Sequence, residues 1–171
     1  MENDQPSNEL TSREPTVADL RELCRELNRI GAKYLVIGGF AIRAANYLRS
    51  TMDIDLLVDD NPDNETKVYA ALSLLPDNAA GGLTPGELKT YGVIRVADEI
   101  IVDIMRVAGG IDYSDAIRDL MVIDVDGVPI PFASPRLLWR MKAVTKREKD
   151  AADLRFLREW FAARGEEPPQ V

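Results

Sequence analysis

Residues 34–60, YLVIGGFAIRAANYLRSTMDIDLLVDD, restrict the possible folds more than any other stretch. The apolar run Tyr34 to Ile37 reads as a strand that enters Gly38-Gly39. A helix-capable segment, Phe40 to Leu48, follows, and Arg49-Ser50-Thr51 leads into a second strand, Asp53 to Val58. Side chains on a strand alternate faces, so Asp53 and Asp55 share one side at roughly 7 Å spacing, while Ile54 and Leu56 face a core. Glycines let a ligand come close to the backbone. A helix start offers free N–H groups and a positive dipole end to an anion. Taken singly, Asp-x-Asp is the polar side of a half-buried strand and Gly-Gly is a tight turn. Their order and separation, with Asp53 fourteen positions after Gly39, argue for a site that takes a divalent cation and a phosphate together.

The rest of the chain limits what kind of cation. The sequence contains no histidine, which excludes Ser-His triads, histidine bases and His-ligated zinc. A metal would be held by oxygen ligands, which points to Mg2+ or Mn2+. The single cysteine, Cys24, excludes an internal disulfide and falls on the apolar stripe of a helix. No apolar run approaches the roughly 18 residues of a membrane span, and the polar, acidic start does not read as a secretory signal. A cytoplasmic location is therefore expected. The net charge of −8 argues against broad nucleic-acid binding but leaves room for a local basic patch. At 171 residues one domain is expected, over 15–164, with a disordered tail at 1–14 and a second tail at 165–171.

Read in order, Thr16 and Asp19 form a capping pair for a helix striped by Val17, Leu20, Cys24 and Leu27 and ended at Gly31. After the central stretch, Asn61 to Asn64 is turn chemistry, and a helix is expected over Glu65 to Leu75. Pro76 to Gly86 is a breaker-rich loop, either a lid or a surface excursion. Tyr91 to Val96 and Ile100 to Val107 read as an antiparallel hairpin. Gly109-Gly110 ends it, and Tyr113 to Leu120 is a short helix capped by Asp112 or Ser114. Asp126-Gly127 between apolar runs predicts a second hairpin, whose proline-bearing arm, Val128 to Phe132, is expected at a sheet edge. Ser134-Pro135 opens a helix, and a last helix spans Asp150 to Ala163.

Asp103 stands alone in the apolar run Ile100 to Met105. A buried carboxylate is costly unless paired or given a metal. It is held by a metal, or lies on a solvent-facing edge, or pairs with Arg95 or Arg106. Six acids and no base fall between Asp53 and Thr66, whereas six bases and two acids fall between Arg136 and Asp150. Lys142 and Lys146 are expected one turn apart on one helix face. An acidic metal site facing such a helix suits a nucleoside triphosphate.

The strand, Gly38-Gly39, helix and Asp53-x-Asp55 series resembles the signature of the nucleotidyltransferase superfamily, which includes DNA polymerase beta-like and bacterial minimal nucleotidyltransferases. The run Ile130-Pro-Phe-x-Ser134-Pro-x-x-Leu138, then Lys142, then Arg147-x-Lys149-Asp150-x-x-Asp153, is similar to the tail of small bacterial members, including relatives of AbiE-type abortive-infection toxins. The resemblance covers roughly Val17 to Leu157 and implies an α/β (α+β) fold: a mixed β-sheet flanked by helices, with a C-terminal helical pair. It places Asp53, Asp55 and Asp103 at metal and Gly38 and Gly39 at the triphosphate. Arg49, Thr51, Lys142 and Lys146 are its further nucleotide-binding candidates. Gly39 departs from the serine that many members carry there.

The implied activity is metal-dependent transfer of a nucleoside monophosphate from a triphosphate to a hydroxyl. In it Asp103 bridges to a second metal or acts as base. The acceptor is an RNA end, a protein or a small molecule such as an aminoglycoside, with RNA favoured. The other reading is a non-catalytic nucleotide- or protein-binding module of the same fold, part of a toxin–antitoxin or defence pair.

Overall fold

The computed structural model describes residues 11–171, so most of the expected N-terminal tail, residues 1–10, lies outside the described residues. Residues 12 and 13, expected in that tail, are instead held. Ser12 Oγ donates to the Asp98 carbonyl at 2.6 Å, and Arg13 N–H donates to the Glu99 carbonyl at 2.9 Å. Helix α1, Val17–Arg29, starts at the Thr16–Asp19 capping box and buries Leu20, Leu23, Cys24 and Leu27. Val17 lies off that stripe and is exposed. Burial pushes the Cys24 thiol up to about 12, so it stays neutral.

Strand β1, Tyr34–Ile37, runs directly into α2, Gly38–Ala44. This helix begins two residues earlier and ends four residues sooner than the sequence predicts. Strand β2, Asp53–Val58, is followed by α3, Pro62–Leu72, capped by the Asn61 side chain; the turn residues 62–64 are its first turn. Helix α4, Glu87–Tyr91, occupies the start of the expected hairpin, which begins at β3, Val93–Ala97, and returns as β4, Ile101–Met105. Gly92, with φ of +77°, separates α4 from β3. Strands β5, Val107–Ala108, and β6, Ile111–Asp112, form a small separate ribbon. Helix α5, Tyr113–Ala116, is capped by the Asp112 side chain. Strands β7, Leu120–Val125, and β8, Val128–Ala133, form the Asp126-Gly127 hairpin, with φ of +48° and +87° at the turn. Helices α6, Pro135–Ala143, and α7, Ala151–Ala162, close the chain.

Among the described residues, six strands form one mixed sheet in the order β3-β4-β2-β1-β8-β7. Strand β8 is therefore interior and β7 is the edge, the reverse of the expectation from Pro129 and Pro131. The prolines are tolerated because β1 meets β8 in register only at Val36 and Phe132. Helix α1 lies on the sheet face that carries Tyr34, whose hydroxyl donates to Asn28 at 2.8 Å. Asp55 points from the opposite face, against which the Gly38-Gly39 turn packs. Helix α6 packs with α2, α7 and β8. Tyr47 and Phe156 stack at 4.8 Å between centroids and fix α7 beside the end of α2. Among the described residues no helix is long and apolar enough to cross a membrane.

The loop 76–86 is a surface excursion rather than a lid over the cleft described below, which it does not line. Asp98, buried, accepts the N–H groups of Asp77 and Ala79 at 2.9 Å. Buried Glu65 accepts from Gly86 N–H at 2.7 Å and Leu88 N–H at 2.8 Å, with the Tyr69 hydroxyl at 2.6 Å. Glu65 thus anchors a loop and does not belong to the acidic site. The same holds for Asp59 and Asp60, which pair with Lys33 and Arg106.

Candidate active site

Register places the three aspartates. Strands β2 and β4 are parallel neighbours with Asp55 opposite Asp103, and Asp53 lies two residues before Asp55 on the same face. Carboxylate oxygens of Asp53, Asp55 and Asp103 lie within 4.8 Å of one another. Hard divalent cations bond oxygens at roughly 2.0–2.6 Å, so one ion can reach all three. Asp103 is on an interior strand, not an edge.

The electrostatics show a shortage of positive charge. Burial, and then the charges of Asp53 and Asp103, push Asp55 up to about 7. Burial, and then Asp103, also raise Asp53. The direct cationic partner is Arg95 on β3, opposite Asp103 in register. Its Nε and one terminal nitrogen grip Asp103 at 2.9 Å each, and that terminal nitrogen reaches Asp53 at 3.3 Å. Asp103 therefore joins the triad and pairs with Arg95 at once; the two sequence readings are compatible.

The diglycine turn sits on this cluster. Gly38 has φ of +66°, and a Cβ there would fall 2.1 Å from Asp55 Oδ2. A Cβ on Gly39 would fall 2.4 Å from Thr51 Oγ1. Thr51 is buried and donates to the Asp53 carbonyl at 3.0 Å, which fixes the entry into β2.

These residues line a cleft of about 660 Å³, a size ordinary for a small-molecule site. Its lining also includes Arg49, Lys142, Arg147 and Lys149. The cationic residues are not placed as expected. Helix α6 ends at Ala143, so Lys146 is off the helix, with φ of +50°, exposed and outside the cleft. Lys142 is buried, and its Nζ contacts Asp150 at 2.9 Å and Asp153 at 3.0 Å. Arg49 grips Asp153 with two bonds, 2.8 and 2.9 Å, across 104 positions of chain. Burial raises Asp150, but Lys142 and Arg147 outweigh it and hold its carboxyl below the usual range. Arg147 and Lys149 line the cleft, although neither is among the residues expected at the nucleotide; Arg140 does not line it.

No family model and no curated protein matches this sequence. Solved structures do. A Thermotoga maritima protein provisionally assigned as a nucleotidyltransferase superimposes with a TM-score of 0.51 and 18% identity, over 86% of this chain and 93% of the other. ANT(2″)-Ia, solved with adenylyl-2″-tobramycin, superimposes with a TM-score of 0.52 and 13% identity, over 87% of this chain and 91% of the other. The chain has the nucleotidyltransferase fold.

Proposed function

We propose that this chain transfers a nucleoside monophosphate from a nucleoside triphosphate to an acceptor hydroxyl. The convergence of Asp53, Asp55 and Asp103 in one cleft carries the reading. Asp53 and Asp55, with Asp103, would hold Mg2+ or Mn2+. Such an ion, when bound, neutralises the triphosphate oxygens. Gly38 and Gly39 line the same cleft, where their lack of side chains makes room for Asp55 and Thr51. Lys149 lines the cleft and favours an anion, and Arg49, Lys142 and Arg147 line the same space with their charges shared with Asp150 and Asp153. The acceptor oxygen attacks the α-phosphorus, the bond to pyrophosphate breaks, and the acceptor proton passes to Asp103. Thr51 keeps Asp53 in place by fixing the start of β2.

The acceptor in this reading is an RNA end first and a protein hydroxyl second, with Lys149 and Arg147 at the cleft as the cations that an RNA end would meet. ANT(2″)-Ia carries an adenylylated aminoglycoside, but a polycation would meet Arg49, Arg147 and Lys149 here. Isothermal titration with Mg2+ and each nucleoside triphosphate is expected to show binding that Asp55→Ala abolishes; full affinity in that variant would sink the assignment. A second reading, a non-catalytic binding module, draws on the pairing of Lys142 and Arg49 with buried acids rather than with an open phosphate site. Radiolabelled triphosphate added to cell extract separates the two: transfer of label to any acceptor rejects the module, and failure with all four triphosphates favours it.

A further inference from the structure

Arg95 is the residue at this site whose geometry does not fit a permanent structural role. Its guanidinium uses a planar fork on Asp103 and a third contact on Asp53, so it engages two of the three carboxylates a cation needs. Both oxygens of Asp103 accept from it, at 2.9 Å each. The Asp103 side chain is 9% exposed, but that of Arg95 is 58% exposed. Arg95 sits on β3, an edge strand of the sheet, between Val93 and Ala97, which are also exposed. Its charge therefore lies in the site while its stem is free to swing into the cleft it lines. The fork holds Asp103 well, but with Arg95 exposed to solvent on one side the guanidinium can leave without being buried elsewhere. A divalent ion on Asp103 competes for the same lone pairs.

We propose, on the reading of the site given above, that Arg95 is a displaceable counter-ion: it occupies the carboxylates until metal and triphosphate arrive together, then moves its fork to a phosphate. The exchange conserves pairing. The metal replaces the guanidinium on Asp103 and Asp53, and the triphosphate supplies the oxygens the guanidinium loses. Arginine suits both partners, because carboxylate and phosphate match the same planar pair of N–H donors. Metal alone removes Arg95 from its partners and gives it none. The site should therefore bind free metal poorly and the metal–triphosphate complex well.

The test uses the full chain, Mn2+ measured by its paramagnetic resonance, and inorganic tripolyphosphate, which carries the charge of a triphosphate without a base. Arg95→Gln is expected to bind Mn2+ alone about tenfold more tightly than the wild type. It is expected to bind Mn–tripolyphosphate about fivefold more weakly, within the range of ordinary coupling between two ligands. Arg95→Lys, which keeps a charge and loses the fork, should fall between them on both measures, and it carries the test if Arg95→Gln does not fold. Mn2+ affinity in Arg95→Gln equal to or weaker than wild type would overturn the competition. Tighter binding of both Mn2+ and Mn–tripolyphosphate would overturn the transfer to phosphate. Asp55→Asn separates this proposal from the reading beneath it. Mn2+ binding that survives in Asp55→Asn, or is absent from wild type and Arg95→Gln alike, removes the metal site itself. Loss in Asp55→Asn with no difference between wild type and Arg95→Gln removes only the role of Arg95.

Discussion

Two groups of carboxylates, one enclosed and one half-buried, share the cleft region, and they are treated in opposite ways. Asp150 and Asp153 are almost fully enclosed, and Lys142, Arg49 and Arg147 surround them with more cations than acids. Among the described residues, Asp53, Asp55 and Asp103 have one ion-pair partner, Arg95, for three charges. The first group is complete and ties α6, α7 and the entry to β2 into one unit. The second is incomplete, and its surplus negative charge appears as the raised Asp55. A compensated cluster fixes a fold, whereas an uncompensated one is available to a cation.

Breaking the compensated cluster should have the largest effect. Lys142→Met removes the cation that contacts both enclosed carboxylates, and urea unfolding is expected to show a loss of about 3 kcal/mol. An unchanged midpoint would mean that water already reaches these acids.

Relieving the uncompensated cluster should act in the opposite direction. A carboxyl raised in the folded state takes up a proton more readily there than in the unfolded chain. Its stabilising effect is complete below the ordinary carboxylate range and disappears as pH rises through about 7. Asp55→Asn should therefore stabilise the metal-free protein by about 1–3 kcal/mol at pH 8 and by little at pH 4. Equal stability of the two proteins across a pH series would contradict the shortage of positive charge.

Cation binding should then reverse that ranking. Mn2+ at about 100 times its dissociation constant stabilises the wild type by about 2.7 kcal/mol, and Asp55→Asn should gain little in the same melting experiment. The smallest effect is expected at Arg147, whose side chain is 54% exposed although its partner Asp150 is enclosed. Arg147→Gln should cost at most about 1 kcal/mol of stability yet weaken triphosphate binding, a split visible when unfolding and titration are compared.

The difference between the clusters also decides what could be read from the sequence. The triad is legible because alternation along β2 is a local rule and a lone aspartate among Ile100 to Met105 is conspicuous. The two hairpin turns, the Ser134-Pro135 cap and the capping box at Thr16 are equally local and appear as expected. The compensated cluster is not local. Arg49 and Asp153 are 104 positions apart, and no periodicity relates them. Lys142 has the right residue type for a phosphate contact, but its enclosure depends on where the chain turns between α6 and α7. That turn is also where Lys146 leaves the expected helix face. The interior position of β8 is a property of sheet order, which the prolines alone could not reveal.

The contact between Gly39 and Thr51 carries a further consequence. The Thr51 hydroxyl fills the space in which a side chain on residue 39 would begin, 2.4 Å from the position of its Cβ. A hydroxyl-bearing residue is thus accommodated at position 39 or at position 51, and not at both without movement of the backbone. Gly39→Ser should be harmful by itself and regain stability when combined with Thr51→Gly, short of the part that the Thr51 hydrogen bond to Asp53 supplies, so the two positions are coupled rather than independent.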